Sequence, residues 1–299
     1  MTRLIRRSSL FVPAHVPRFV AKARLSGADA VVLDLEDSVP ADQKGNARAG
    51  LPDAVRSLAG TGTVVVRVNS GAELEADLAA CAAAGASEVL LPKVDSPEDV
   101  ARFRKLCAGA GCTPALSVLI ETPLGLTNLA ATLAGGPIRT AALGVEDLRV
   151  ELEPFAPGDS PESATLMHAH VTAVLAALAA GVLPLGLIGA IGTISDLDRL
   201  RAGAATAWRM GYRGTYCIHP SQVAVHNEEY APSAADLRWA GAVTEGAEEA
   251  AREGRGAFVV DGAMVDAPLV ERARRILRLA PDRGQTGGGP GEPMSGRES

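Results

Sequence analysis

Apolar runs rich in β-branched residues recur along this chain. They alternate with longer segments in which apolar positions return at helical spacing, the pattern of strands followed by amphipathic helices. The runs that read as strands are Ser9–Val12, Ala30–Leu35, Thr63–Val68, Glu88–Leu91, Ala115–Ile120, Thr140–Leu143, Leu183–Ile188 and Thr215–Ile218. Between them, Pro17–Ser26, Gln43–Leu58, Glu73–Ala84, Pro97–Ala108, Leu126–Leu133, Pro161–Ala180 and Ser195–Met210 predict helices, most stopping near a glycine. Strand–helix alternation implies parallel pairing, and eight parallel strands make a closed TIM (β/α)8 barrel the natural α/β architecture. A doubly wound open sheet is the alternative, but its G-x-G-x-x-G after the first strand is missing.

Past the eighth strand the spacing predicts a helix over Ser221–Tyr230, a serine-capped helix over Ser233–Glu253, a turn segment FVVDGAMVD, and a last helix over Ala267–Leu279. The organisation expected is a barrel over 1–230, a C-terminal helical segment over 231–280 and a disordered tail over 281–299, where Gly, Pro and polar residues leave nothing to bury. Arg3, Arg6 and Arg7 read as a solvated lead-in to the first strand. The apolar stretch that follows is broken by Pro13 and is too short for a signal peptide's centre. The apolar stretch 171–191 contains Gly181, Pro184, Gly186 and Gly189, so it reads as helix then strand and not as a membrane span. A soluble cytoplasmic protein is expected.

Composition adds two constraints. Hydrophobic residues make up 47% of the 299, yet only 3% are aromatic, so the core is one of Val, Leu, Ile and Ala. The formal charge of −6 provides no basic footprint for nucleic acid. Cys81, Cys107, Cys112 and Cys217 fit no zinc spacing and read as free thiols.

Charged residues sit just past the ends of the apolar runs: Asp34, Glu36, Asp37, Arg67, Lys93, Glu121, Asp147 and His219. In a barrel all of these converge on one rim, because the loops after the strands open onto the same face. Glu121 and Asp147 follow the fifth and sixth strands and are neighbours there. Carboxylates on adjacent strand ends are what Mg²⁺ uses, with water and substrate oxygens completing an octahedron; two exposed loop acids are the alternative. Arg67 ends an otherwise all-valine strand and needs an anionic partner, either a substrate carboxylate or enolate, or Glu36 or Asp37. Asp34, Glu36 and Asp37 repel one another unless cations intervene, which suits residues that orient ligands from behind. His219 either contacts substrate or holds its loop by hydrogen bonds.

Read together, RRSSLFVPAHVPRFVAKA, GADAVVLDLEDSVPADQKGNAR, VVVRVNS, EVLLPKVDSPEDV, LIETPLGLTNL, ALGVEDL, GYRGTYCIHPSQVAVHN and DGAMVDAPLVERA resemble, in order, the citrate lyase β-subunit-like branch of the HpcH/HpaI aldolase family. The resemblance implies a Mg²⁺-dependent TIM barrel, commonly a trimer, that cleaves or forms carbon–carbon bonds in acyl-CoA thioesters such as citramalyl-, malyl- and citryl-CoA. It implies Glu121 and Asp147 as metal ligands and Arg67 as the arginine on the substrate oxygens. Asp266 falls on a catalytic aspartate usually supplied by a neighbouring subunit, and Lys22 lies near the positions that meet the CoA phosphates. The implied reaction is a retro-Claisen cleavage releasing acetyl-CoA and a keto acid. Thr215 stands where the family usually has lysine, and Val150 to Glu153 replace the usual residues after the metal aspartate. These departures leave two other readings open, a CoA-independent aldolase of a hydroxy-keto acid and a non-catalytic subunit.

Overall fold

Alternation along each strand decides which side chains enter the barrel. The computed structural model describes residues 6–152 and 163–280. Its strands β1 (Ser8–Pro13), β2 (Ala30–Asp34), β3 (Thr63–Arg67), β4 (Glu88–Leu91), β5 (Ala115–Ile120), β6 (Ile138–Leu143), β7 (Leu183–Leu185) and β8 (Thr215–Cys217) form one sheet in the order β7-β6-β5-β4-β3-β2-β1-β8. Every pair in it is parallel. The seam between β7 and β8 is bridged by backbone bonds from Arg213 N–H to Pro184 O (3.0 Å) and from Gly186 N–H to Gly214 O (2.9 Å). On the other side of β8, Gly214 lets the chain pass close to the segment entering β1, since a Cβ there would fall 1.7 Å from the Arg6 carbonyl oxygen.

Helices α1 (Pro17–Ala23), α2 (Lys44–Ser57), α3 (Leu74–Ala84), α4 (Pro97–Gly109), α5 (Pro123–Ala134), α6 (Val145–Leu152), α7 (Ala164–Ala179), α8 (Leu197–Met210) and α9 (Pro220–Glu229) follow their strands. They bury their apolar faces on the outward strand residues, among them Val31, Leu33, Val66, Val89, Val118 and Ile120. The α/β barrel expected from the periodicity is therefore the fold. Helix α6 was not anticipated: its 8 residues are too few for the hydrophobic period to show beside the strand before it.

The inward residues form three levels. Ala30, Val32, Val65, Leu90, Leu119, Ala142, Leu185 and Tyr216 make an apolar middle. At the end where the strands begin lies a buried ionic knot, in which Arg6 donates to both carboxylate oxygens of Glu88 (3.1 and 2.9 Å) and Ser117 and Arg139 also donate to Glu88. The expectation of a solvated arginine lead-in is thus corrected. Arg6 is 1% exposed, and Arg7 is half-buried against Asp29. The carboxylates that recruit them lie 82 and 22 residues further along the chain, too far for local reading. Arg3 lies outside the described residues.

On α9, His226 is fully buried, and neither ring nitrogen has a hydrogen-bond partner among the described residues. Burial pushes its pKa down to about 4. A depressed histidine contributes stability that is complete above its unfolded value, near 6.5, and is lost as pH falls through about 4. At ~1.4 kcal/mol per unit this amounts to about 3 kcal/mol. Urea unfolding from pH 7.5 to 4.5 should therefore show wild type losing about that much relative to His226→Leu, other titrating groups cancelling in the difference.

A second compact unit begins at Ala231. It contains α10 (Ala234–Arg252), the antiparallel pair β9 (Phe258–Val260) and β10 (Ala263–Val265), and α11 (Ala267–Leu279). Ala240, Val243, Val265, Val270 and Ala273 form its core. The segment expected to be a turn is a hairpin: Asp261 and Gly262 take positive φ values of 49° and 79°, as a two-residue type I′ turn requires. Residues 281–299, expected to be disordered, lie outside the described residues. No described helix is long and apolar enough to cross a membrane.

Candidate active site

Strand parity carries Asp34 and Arg67 inward at the last positions of β2 and β3, where they are register partners. The two meet edge to edge, Arg67 Nε on Asp34 Oδ1 and Nη2 on Oδ2, both at 2.7 Å. Asp34 also accepts the Glu36 and Ser38 N–H groups, which folds the chain after β2 back over the strand end. Burial is the largest single influence on the Asp34 carboxylate and works against it, but the bond and charge of Arg67 together with the bonds from Ser38 and Glu36 outweigh it and hold the pKa below the ordinary value. Arg67 Nη1 lies 2.8 Å from Glu36 Oε2 without the angle of a hydrogen bond, and bonds Asp37 Oδ2 at 3.3 Å. The guanidinium stacks over Phe11, 4.7 Å from the ring centroid. Asp34, Glu36 and Asp37 thus share one cation.

Glu121 stands one residue past β5 in the same inward parity as Ser117 and Leu119. It is 4% exposed, and its Oε2 accepts the Lys93 N–H at 2.7 Å. Burial first, then the charges of Glu36 and Asp147, push its pKa up to about 7 against the pull of the Lys93 bond and Arg67. Gly144 forms the floor under this carboxylate, because a Cβ there would lie 2.4 Å from Glu121 Cγ and 2.8 Å from Oε1. Asp147 follows in the first turn of α6, exposed at the cavity mouth beside Glu146.

Lys93, at a strand end in the sequence, is not among the site residues expected from it. It is the connector: its backbone holds Glu121 while its Nζ bonds Glu36 Oε1 at 2.8 Å, and its φ of 53° lies in the left-handed region. Such a conformation in a non-glycine residue costs energy and persists where surrounding contacts impose it. Only its place after β4 hinted at this in the sequence.

Asp34, Asp37, Arg67, Glu121 and Asp147 line one cavity of about 470 Å³ at the ends of the strands. Glu36 reaches it through Arg67 and Lys93. Three other expected residues are not part of this lining. Lys22 is exposed in the last turn of α1. His219 is the N-cap of α9, its Nδ1 accepting the Ser221 N–H, which is the loop-holding role. Asp266 is the N-cap of α11 in the second unit.

The chemistry of the rim fits a divalent cation. Its carboxylates outnumber Arg67 and Lys93, and Glu121 is held in a cradle yet is costly to ionise without a further positive charge. No three His, Cys, Asp or Glu side chains among the described residues form a metal cluster by themselves. Two carboxylates with oxygens from water and substrate are what Mg²⁺ accepts, and Glu121 and Asp147 line the same cavity.

The profile of the HpcH/HpaI aldolase/citrate lyase family matches residues 7–220. Citrate lyase subunit beta of Escherichia coli is 36% identical over 298 residues, covering 92% of this chain and 93% of that protein. The mitochondrial citramalyl-CoA lyase of Rattus norvegicus is 31% identical over 299 residues, covering 92% and 86%. Among solved structures, protein CitE from Mycobacterium tuberculosis in complex with magnesium, acetoacetate and coenzyme A superposes with a TM-score of 0.74 at 33% identity, covering 94% of this chain and all of that one.

Proposed function

Because this chain belongs to the HpcH/HpaI aldolase/citrate lyase family, we propose that it is a Mg²⁺-dependent carbon–carbon lyase. Its substrate is a short β-hydroxyacyl-CoA, cleaved to, or formed from, acetyl-CoA and a keto acid. The observation that carries this reading is the buried Glu121 carboxyl, cradled by Gly144 and raised to about 7 beside Asp147.

Glu121 and Asp147 would hold the ion. Bound there, Mg²⁺ supplies Lewis acidity toward the hydroxyl or keto and carboxylate oxygens of the acid fragment. Arg67, locked in orientation by Asp34, stabilises the negative charge that builds on the thioester enolate oxygen as the bond breaks. Lys93 holds the Glu121 carboxylate from behind and ties Glu36 to it. Asp266 moves the proton at the acetyl methyl, general acid–base work that contributes ~10²–10⁴-fold. Lys22 attracts the CoA phosphates from the outer face of α1. Incubating the protein and Mg²⁺ with malyl-, citramalyl- and citryl-CoA, and following acetyl-CoA release with and without EDTA, tests the reading. Cleavage that ignores EDTA, or is confined to free hydroxy-keto acids, would end it.

The family resemblance supports a cytoplasmic homo-oligomer, a trimer or hexamer, in which Asp266 serves a neighbouring copy. Co-expressed Glu121→Ala and Asp266→Ala chains should then recover activity that neither has alone, because some sites in a mixed oligomer carry both residues. Activity of the mixture no higher than that of the separate variants would show that Asp266 does not act across subunits.

A further inference from the structure

Resting on the lyase reading above, we infer that the acid fragment this site takes is a 2-keto monocarboxylate with a small apolar substituent, of the pyruvate type, in preference to a 2-keto dicarboxylate of the oxaloacetate type. A keto acid that chelates the ion through its keto and carboxylate oxygens has its single anionic group matched. A second carboxylate needs a second cation, and the described residues of this chain that line the cavity do not present one.

Among the described residues that line the cavity, Arg67 is the only Lys or Arg, and it is already engaged by Asp34, Glu36 and Asp37. Lys93 directs its Nζ to Glu36, and Lys44 directs its own to the Leu35 and Glu36 carbonyls and Asn69. Arg199 lines a second cavity of about 320 Å³ that shares only Leu187 and Gly189 with the first.

Apart from Ser38, Thr215, Tyr216 and glycine backbone, the rest of the first cavity's described lining is hydrocarbon or acidic. Phe11, Leu119, Ala142, Leu187, Ile191 and Tyr216 form its apolar part, continuous with the core of the barrel. The Tyr216 phenol is buried and feels the Arg6 and Glu88 charges at the opposite end of the barrel interior. The Thr215 hydroxyl is bonded to the Tyr216 carbonyl. A methyl group on the keto acid finds contacts here. A carboxymethyl group meets either hydrocarbon or the carboxylates of Asp34, Asp37, Glu146 and Asp147, and an unpaired charge in such surroundings is strongly disfavoured.

Citramalyl-CoA and citryl-CoA isolate the difference, since a methyl on the carbinol carbon of one is a carboxymethyl on the other. With wild-type protein and saturating Mg²⁺, kcat/KM for citramalyl-CoA is expected to exceed that for citryl-CoA by roughly 100-fold or more, about 2.7 kcal/mol at 1.36 kcal/mol per tenfold. Independently of turnover, pyruvate with Mg²⁺ should raise the melting temperature, and oxaloacetate at the same concentration should do so far less. Citryl-CoA cleaved within about tenfold of citramalyl-CoA, or equal stabilisation by the two keto acids, overturns the inference. If neither thioester is cleaved but malyl-CoA is, the inference is overturned; if all three are left intact the lyase reading fails instead, and the melting curves alone then decide the keto-acid preference.

Discussion

Glu121→Gln is expected to lose measurable Mg²⁺ binding by calorimetry and to cut thioester cleavage by ~10³-fold or more, since the Lewis acidity of a bound ion is worth several kcal/mol at 1.36 kcal/mol per tenfold. The amide keeps the volume of the side chain and can still accept the Lys93 N–H, so the fold around it should survive. Stability provides a second signature. A carboxyl whose folded pKa is raised contributes stability that is fully present below its unfolded value, near 4.5, and is lost as pH rises through about 7. At pH 8 without Mg²⁺, wild type therefore carries a penalty of about 3 kcal/mol that the variant lacks. The variant should be the more stable protein in EDTA, and the order should reverse or close when Mg²⁺ is added. A variant less stable than wild type in EDTA at pH 8 would contradict the raised Glu121 pKa, and one that cleaves thioester at the wild-type rate would show that Glu121 is no ligand.

The largest loss of stability should come from the other end of the barrel. Arg6→Met removes the guanidinium that meets both oxygens of Glu88, a carboxylate with no exposed surface. Breaking a buried pair from one side costs about 3–5 kcal/mol, because the remaining charge keeps its desolvation penalty and loses its partner. Ser117 and Arg139 still donate to Glu88, which places the expectation at the lower end of that range. Removing both partners is a different matter. In Arg6→Met/Glu88→Leu no charge is stranded, and most of the single-variant loss should return in urea unfolding. A double variant as unstable as the sum of its singles would mean that the two side chains do not act as a pair.

How much of this was legible in the chain depends on the range of the interactions. All eight strands could be read, because a run such as Val31–Leu33 or Val64–Val66 needs only its own residues to declare a buried strand. Parity then carried Asp34, Arg67 and Glu121 to the same rim. What escaped was non-local or too short. Arg6 looked solvated because Glu88 lies far along the chain, and the bond from the Lys93 backbone to Glu121 follows from a φ that no propensity predicts. Helix α6 is a turn or two long. His219 caps a helix with an imidazole, outside the usual Ser, Thr, Asp and Asn. The hairpin at Asp261–Gly262 is different, since its Asp-Gly turn was visible and simply outweighed by the shortness of the flanking strands.

The apolar middle level, with Val32, Val65, Leu90 and Leu119 in it, separates two charged decks. The influences on the Glu121 carboxyl, which are its burial, Glu36, Lys93, Asp147 and Arg67, all lie at the rim, and the Arg6–Glu88 pair below is neutral as a unit, so robustness and chemistry in this barrel are expected to be adjustable separately. A stabilised variant rebuilt around positions 6 and 88 should therefore keep the acid–base behaviour of the parent protein's mouth.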